Sequence, residues 1–279
     1  MTEIFGFDAF DPREIAERIQ RVGVAKARLP MLSTCMLGLL AGAFIGLGAM
    51  GFVLIRSDAS LGFAMGQVLG GSAFALGLIL VVVAGAELFT GNNLLVMAWA
   101  DGRIATAEML RNWGLVLAAN AVGAVAMAVA VHLSGHAQLN HGAIAEQYLR
   151  IAVAKCALPF WPAFFRGVLC NVLVCMAVWM ASAGRSVTDR ILAIVFPITA
   201  FVAAGFEHSI ANLYLVPMAM LLKQAGATVV GHECVGWGGL LGNLVPVLLG
   251  NLVGGGILVG LVYHLIYGRP GATGASASR

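Results

Sequence analysis

Glu87 and Glu207 each stand inside a long apolar run, two residues after a glycine and five before an asparagine. The first setting reads Gly85-Ala86-Glu87-Leu88-Phe89-Thr90-Gly91-Asn92, and the second Gly205-Phe206-Glu207-His208-Ser209-Ile210-Ala211-Asn212. A carboxylate at such depth is costly unless donors meet it. The matched G-x-E-x4-N pattern predicts structural work at two helix breaks, with both glutamates accepting from backbone N–H groups freed where a helix stops. His208 stands where the first run has Leu88. An imidazole there can relay a proton, and Thr90 in the opposing break is a candidate hydrogen-bond partner. Lys155, just ahead of Pro159, is either an interfacial cation or an attractor for an anion. Arg166 reads as interfacial or protomer-facing, and His132 and His264 as interfacial.

No metal or cofactor is expected. The five cysteines (Cys35, Cys156, Cys170, Cys175, Cys234) form neither CxxC nor a Cys/His ligand spacing. Three of them lie in apolar stretches, where free Cys behaves as a small hydrophobe.

The elements that must hold these residues are read from hydropathy. Of 279 residues, 60% are hydrophobic and 10% charged, against about 25% charged in soluble domains. This predicts an all-α integral membrane protein in contact with lipid. A net charge of +3 is too small to suggest nucleic acid. Asp11-Pro12-Arg13-Glu14 reads as a capped helix start, opening an amphipathic helix on the membrane face within an N-terminal segment of residues 1–29. Six apolar regions follow over residues 30–268: Met31 to Ile55, Leu61 to Ala100, Trp113 to Leu133, Phe160 to Ala183, Ile191 to Leu222 and Leu240 to Tyr267. A span needs about 20 residues, so the second and fifth are too long for one and too short for two. Each is expected to be one broken helix. Residues 269–279 read as a disordered tail.

The helices after the breaks also match, since Asn112, Asn120 and Gly123 recur as Asn243, Asn251 and Gly254. Two coincidences in register predict a duplication: repeat 1 at about 31–135 and repeat 2 at about 157–267. Three spans reverse the chain's direction, so the repeats must be inverted, with paired broken helices beside a solute path. Arg13, Arg18, Arg21, Lys26, Arg28, Arg103, Arg111, Arg185, Arg190, Arg269 and Arg279 fall on one side, and Arg56, Arg150, Lys155 and Lys223 on the other. By the positive-inside rule both termini are cytoplasmic. With no apolar segment ahead of the first basic cluster, the first span is expected to direct insertion into an inner (plasma) membrane.

Gly85-Ala86-Glu87-Leu88-Phe89-Thr90, Gly205-Phe206-Glu207-His208-Ser209-Ile210-Ala211-Asn212 and Asn251-Leu252-Val253-Gly254-Gly255-Gly256 resemble the formate/nitrite transporter family. The resemblance runs from about residue 10 to residue 268. It implies a homopentamer of aquaporin-like protomers, each with a pore for small monovalent anions of weak acids. It further implies an outer constriction of Phe74, Leu78 and Phe201 and an inner one of Leu88 and Val174. His208 would lie between them, linked to Thr90, with Asn171 and Lys155 shaping the polar field. Gly91-Asn92 looks like nitrite- or hydrosulfide-type members, whereas Asn243 to Gly256 looks formate-like. Formate is the expected solute, with nitrite and hydrosulfide as alternatives.

Rival readings lack their residues. A water or glycerol channel should carry Asn-Pro-Ala at both breaks, and an ammonium channel two facing histidines. An enzyme would need a second catalytic group beside His208, so no catalysis is expected. The energetics favour a neutral solute. A bare anion in a dry throat costs on the order of tens of kcal/mol, whereas protonating an acid of pKa about 4 at pH 7 costs only about 4 kcal/mol.

Overall fold

The computed structural model describes residues 9–268, so the tail expected at 269–279 lies outside the described residues. α1 spans Pro12–Ala27 and starts as its sequence dictates. The Asp11 carboxylate accepts from the N–H groups of Arg13 and Glu14, and Glu14 Oε2 accepts from Asp11 N–H at 2.9 Å. Pro12 has no N–H to leave unpaired there. Ile15, Ala16 and Ile19 of α1 bury against Leu94, Met97, Trp179 and Val259, while Val22 stays exposed, so part of the apolar face expected against lipid is met by protein.

The first apolar region forms α2 (Met31–Arg56). The second forms α3 (Phe63–Ala84), a 3-10 turn over Gly91–Leu94 and the short α4 (Leu95–Ala100). α5 covers Thr106–Leu133 and α6 Ala143–Cys156. No apolar run announces α6, which buries Ile144, Tyr148, Leu149 and Ala152 along one face and ties Tyr148 Oη to Tyr214 Oη at 2.7 Å. α7 (Phe160–Ala183), α8 (Val187–Ala203) and α9 (Ser209–Gln224) come next. α10 (Trp237–Asn251) runs through a π-helical stretch, Leu252–Leu261, into α11 (Val262–Tyr267). Among the described residues five helices are long and apolar enough to cross a membrane: α2, α3, α5, α7 and the continuous Trp237–Tyr267. The fifth apolar region is instead divided between α8 and α9, of 17 and 16 residues.

Both long runs break at glycine. Gly85 has φ 85° and Gly205 φ 69°, a left-handed conformation that a side chain disfavours. The turn lets Ala86 N–H reach back to Val81 O at 2.8 Å and Phe206 N–H to Phe201 O at 3.0 Å, closing the ends of α3 and α8. Glycine also sets helix spacing. A Cβ on Gly123 would lie 1.9 Å from Leu39 O, and one on Gly254 2.1 Å from Val168 O. These two positions let α5 press on α2 and the π-helical stretch on α7, which explains why the glycines recur with their asparagines. One core carries Phe74, Leu78, Leu88, Val174 and Phe201, where the two breaks face each other.

Candidate functional site

Each break is held by a lysine, a glutamate and three asparagines, and the two sets match partner for partner. At the first, Lys26 Nζ lies 3.0 Å from Glu87 Oε1. Asn92 Nδ2 donates to Glu87 Oε2 at 2.6 Å and to Asn112 Oδ1 at 3.0 Å, and Asn112 Nδ2 donates to Lys26 O at 3.1 Å. At the second, Lys155 Nζ lies 2.9 Å from Glu207 Oε1. Asn212 Nδ2 donates to Glu207 Oε2 and to Asn243 Oδ1, both at 2.7 Å, and Asn243 Nδ2 donates to Lys155 O at 3.1 Å. The third asparagine bridges strands of bare backbone. Asn120 donates to Gly38 O and Glu87 O and accepts from Phe89 N–H. Asn251 donates to Gly167 O and Glu207 O and accepts from Ser209 N–H.

The partners of the glutamates therefore differ from those expected. Their carboxylates accept from lysine and asparagine side chains, and the freed N–H groups of Phe89 and Ser209 go to Asn120 and Asn251 instead. The physical reason is charge. A buried carboxylate is offset far better by an ammonium than by a neutral amide, and one amide oxygen suffices for one N–H. Lys26 was missed because it sits in a basic cluster that reads as a topology signal. A signal did exist: Lys26-Ala27-Arg28-Leu29-Pro30 and Lys155-Cys156-Ala157-Leu158-Pro159 share K-x2-L-P just ahead of α2 and α7.

The two halves are not identical. Lys26 Nζ also donates to Asn92 Oδ1 at 2.9 Å, whereas Asn212 Oδ1 is buried without a partner. His208 and Thr90 are the main departure. His208 Nδ1 accepts from Ala211 N–H at 3.1 Å, which caps α9. A backbone N–H can only donate, so Nδ1 keeps its lone pair and the neutral ring carries its proton on Nε2. That nitrogen lies 3.0 Å from Thr90 Oγ1. Both residues are buried. Asn171 stands behind Thr90, donating to Thr90 O at 3.3 Å, Asn93 Oδ1 at 2.7 Å and Asn251 O at 2.7 Å. It steadies the break rather than facing open space.

Two cavities approach this pair from opposite ends. One, of about 310 Å³, lies at the α1 end and is lined by Leu78, Glu87, Leu88, Asn92, Lys26, Arg18 and Arg190 among others. The second, of about 230 Å³, lies at the α6 end and reaches Phe74, Phe201, His208, Glu207, Lys155, Arg56 and Arg166. Phe74 and Phe201 meet edge to face with centroids 5.6 Å apart, and the His208 ring stacks on Phe201 at 5.9 Å. The expected grouping shifts by one residue. Leu78 lines the α1-end cavity beside Leu88, one helical turn along α3 from Phe74. Val174 is buried in the core, and Val178, a turn further on, reaches the cavity. Arg166 faces the second cavity, where an interfacial or protomer-facing place was expected. No group of His, Cys, Asp and Glu suited to a metal occurs among the described residues.

Each cavity thus opens beside three cations and one paired glutamate, and leads to apolar side chains with the Thr90–His208 pair behind them. Such an arrangement can attract small anions toward an apolar stretch that holds one hydrogen-bonded pair. Comparison with known proteins gives the family. A family model described as formate/nitrite transporter matches residues 13–265. The chain is 38% identical to the formate channel FocA of Escherichia coli strain K12, over 94% of this chain and 96% of that protein. A solved pentameric formate channel with formate bound superposes with a TM-score of 0.78 at 35% identity, covering 86% of this chain and 98% of the other. An ion channel of the same family superposes with a TM-score of 0.81 at 29% identity, covering 92% and 99%. This multi-pass membrane protein belongs to the formate/nitrite transporter family, whose members here are channels and transporters and not enzymes.

Proposed function

We propose that the chain passes small monovalent anions of weak acids, formate foremost, through a pore within each protomer, the solute being protonated near His208. The observation that carries this reading is the buried Thr90–His208 contact between two cation-lined cavities. Arg56, Arg166 and Lys155 concentrate anions at one mouth, and Arg18, Lys26 and Arg190 at the other. Phe74 and Phe201 then narrow the path on one side of His208, and Leu78 and Leu88 on the other.

An anion stripped of water at these side chains is far costlier than its conjugate acid. His208 can supply the proton as a relay. A proton from solvent water delivered to Nδ1 displaces the Ala211 N–H bond and leaves that buried donor unpaired, at about 1–3 kcal/mol, and the Nε2 proton leaves with the anion while Thr90 holds the ring in place. Nitrite and hydrosulfide are also conjugate bases of weak acids and meet the same condition.

The matched break networks support two inverted repeats, 31–135 and 157–267, that supply six passes, with α8 and α9 together making the fifth. This gives an aquaporin-like protomer whose termini lie in the cytoplasm, in an inner membrane. The solved relative described as a pentameric formate channel supports a homopentamer. Uptake into proteoliposomes tests the solute class. Formate and nitrite should enter much faster than chloride or nitrate, whose acids are strong. Equal entry of nitrate and formate across a range of pH would refute the neutral-acid reading.

A further inference from the structure

Two of the five cysteines, far apart in sequence, come together at the end of α6, next to Lys155 of the α6-end cavity. Cys156 ends α6, directly after Lys155, and Cys234 closes the 3-10 turn His232–Cys234 ahead of α10. Both side chains pack at the last turn of α6. Cys234 Sγ in turn points at the last turn of α6, 3.9 Å from Val153 O and 3.2 Å from Gly231 O. Gly239 makes room for the pair. A Cβ there would fall 2.9 Å from Cys156 Sγ and 2.2 Å from Cys234 O. Both cysteines are half-buried, whereas Cys170 and Cys175 are buried.

We propose that Cys156 and Cys234 are a disulfide-forming pair that staples the end of α6 to the start of α10 when the protein meets an oxidising disulfide. The topology proposed above puts this end outside the cytoplasm, where disulfides persist. Closing the bond requires the sulfurs to approach to about 2.05 Å, and the short turn bearing Cys234 can supply that movement. Burial pushes the Cys156 thiol up to about 11, so it enters second. The Cys234 thiolate first attacks a small disulfide, forming a mixed disulfide and releasing one thiol. Cys156, as its thiolate, then displaces the second thiol and completes the Cys156–Cys234 bond. The two protons and two electrons lost by the pair end on the two released thiols. The staple would fix Lys155, whose ammonium meets Glu207 and whose carbonyl accepts from Asn243.

The test uses the full chain in lipid nanodiscs, treated with oxidised glutathione or with dithiothreitol, then labelled with N-ethylmaleimide and mapped by peptide mass spectrometry. The oxidised sample should lose labelling at Cys156 and Cys234 together and yield one peptide pair linking them, with a higher thermal midpoint that dithiothreitol reverses. In Cys156→Ser the glutathione adduct should instead accumulate on Cys234. A wild-type chain in which both thiols stay fully labelled would overturn the proposal. So would a stable glutathione adduct on Cys234 beside a free Cys156, or links between protomers only.

Discussion

The Lys155 side chain is half as exposed as that of Lys26, 13% against 26%. Breaking a buried ion pair by removing one partner costs about 3–5 kcal/mol, because the other charge is left without compensation. Glu207→Ala should therefore destabilise the folded protein more than Glu87→Ala, read as the thermal midpoint in one detergent. Combining Glu207→Leu with Lys155→Met should recover part of what Glu207→Leu alone loses. Equal losses at both breaks, with no recovery in the double variant, would mean that the pairs are not the structural bond. Phe74 and Phe201 make a separate prediction. Each ring is buried, and truncating both should widen the α6-end cavity beside His208. Bulkier monocarboxylates should then enter faster relative to formate, and an unchanged ratio in the folded double variant would show that the throat lies elsewhere. The residues that sequence made visible are those whose type clashes with their surroundings: Glu87, Glu207 and His208 in apolar runs. Lys26 was hidden because basic residues are ordinary where it stands, and Arg166 because a cation early in a helix reads as interfacial until the cavity beside it is known.

Among the helices, glycine position matters more than glycine number. A Cβ at Gly123 or Gly254 would sit about 2 Å from a carbonyl oxygen of the facing helix, closer than real contacts allow, whereas one at Gly114 would meet nothing within 4 Å. Gly123→Ala and Gly254→Ala should each abolish stable protein. Gly114→Ala should be neutral or stabilising by about 0.5–1 kcal/mol, as expected in a helix interior. Expression and size-exclusion profiles separate these outcomes. The breaks at Gly85 and Gly205 were legible because a run too long for one span and too short for two must be interrupted. Two features were not. α6 is amphipathic and short, and its burial against α9 depends on long-range contacts such as Tyr148 with Tyr214. The docking of α1 on Leu94, Met97 and Trp179 also escaped the sequence, because the same pattern of apolar residues fits a lipid surface equally well.

At the scale of the whole molecule, two cavities carry cations, and apolar side chains lie between them. Arg56→Gln with Arg166→Gln should raise the formate concentration needed for half-maximal uptake from the α6 side, and added salt should shrink the difference from wild type. No shift at low salt would place the attraction elsewhere. The central claim is that the solute crosses as a neutral acid protonated near His208, and formate uptake into proteoliposomes under an imposed potassium diffusion potential tests it most directly. Wild-type uptake should ignore the potential and rise as external pH falls, since the neutral fraction grows about tenfold per unit of pH. His208→Asn, folded to the same assembly, should be much slower, and what flux remains should follow the potential. Wild-type rates in His208→Asn, still indifferent to potential and with the same pH dependence, would contradict the account and leave His208 as a lining residue alone.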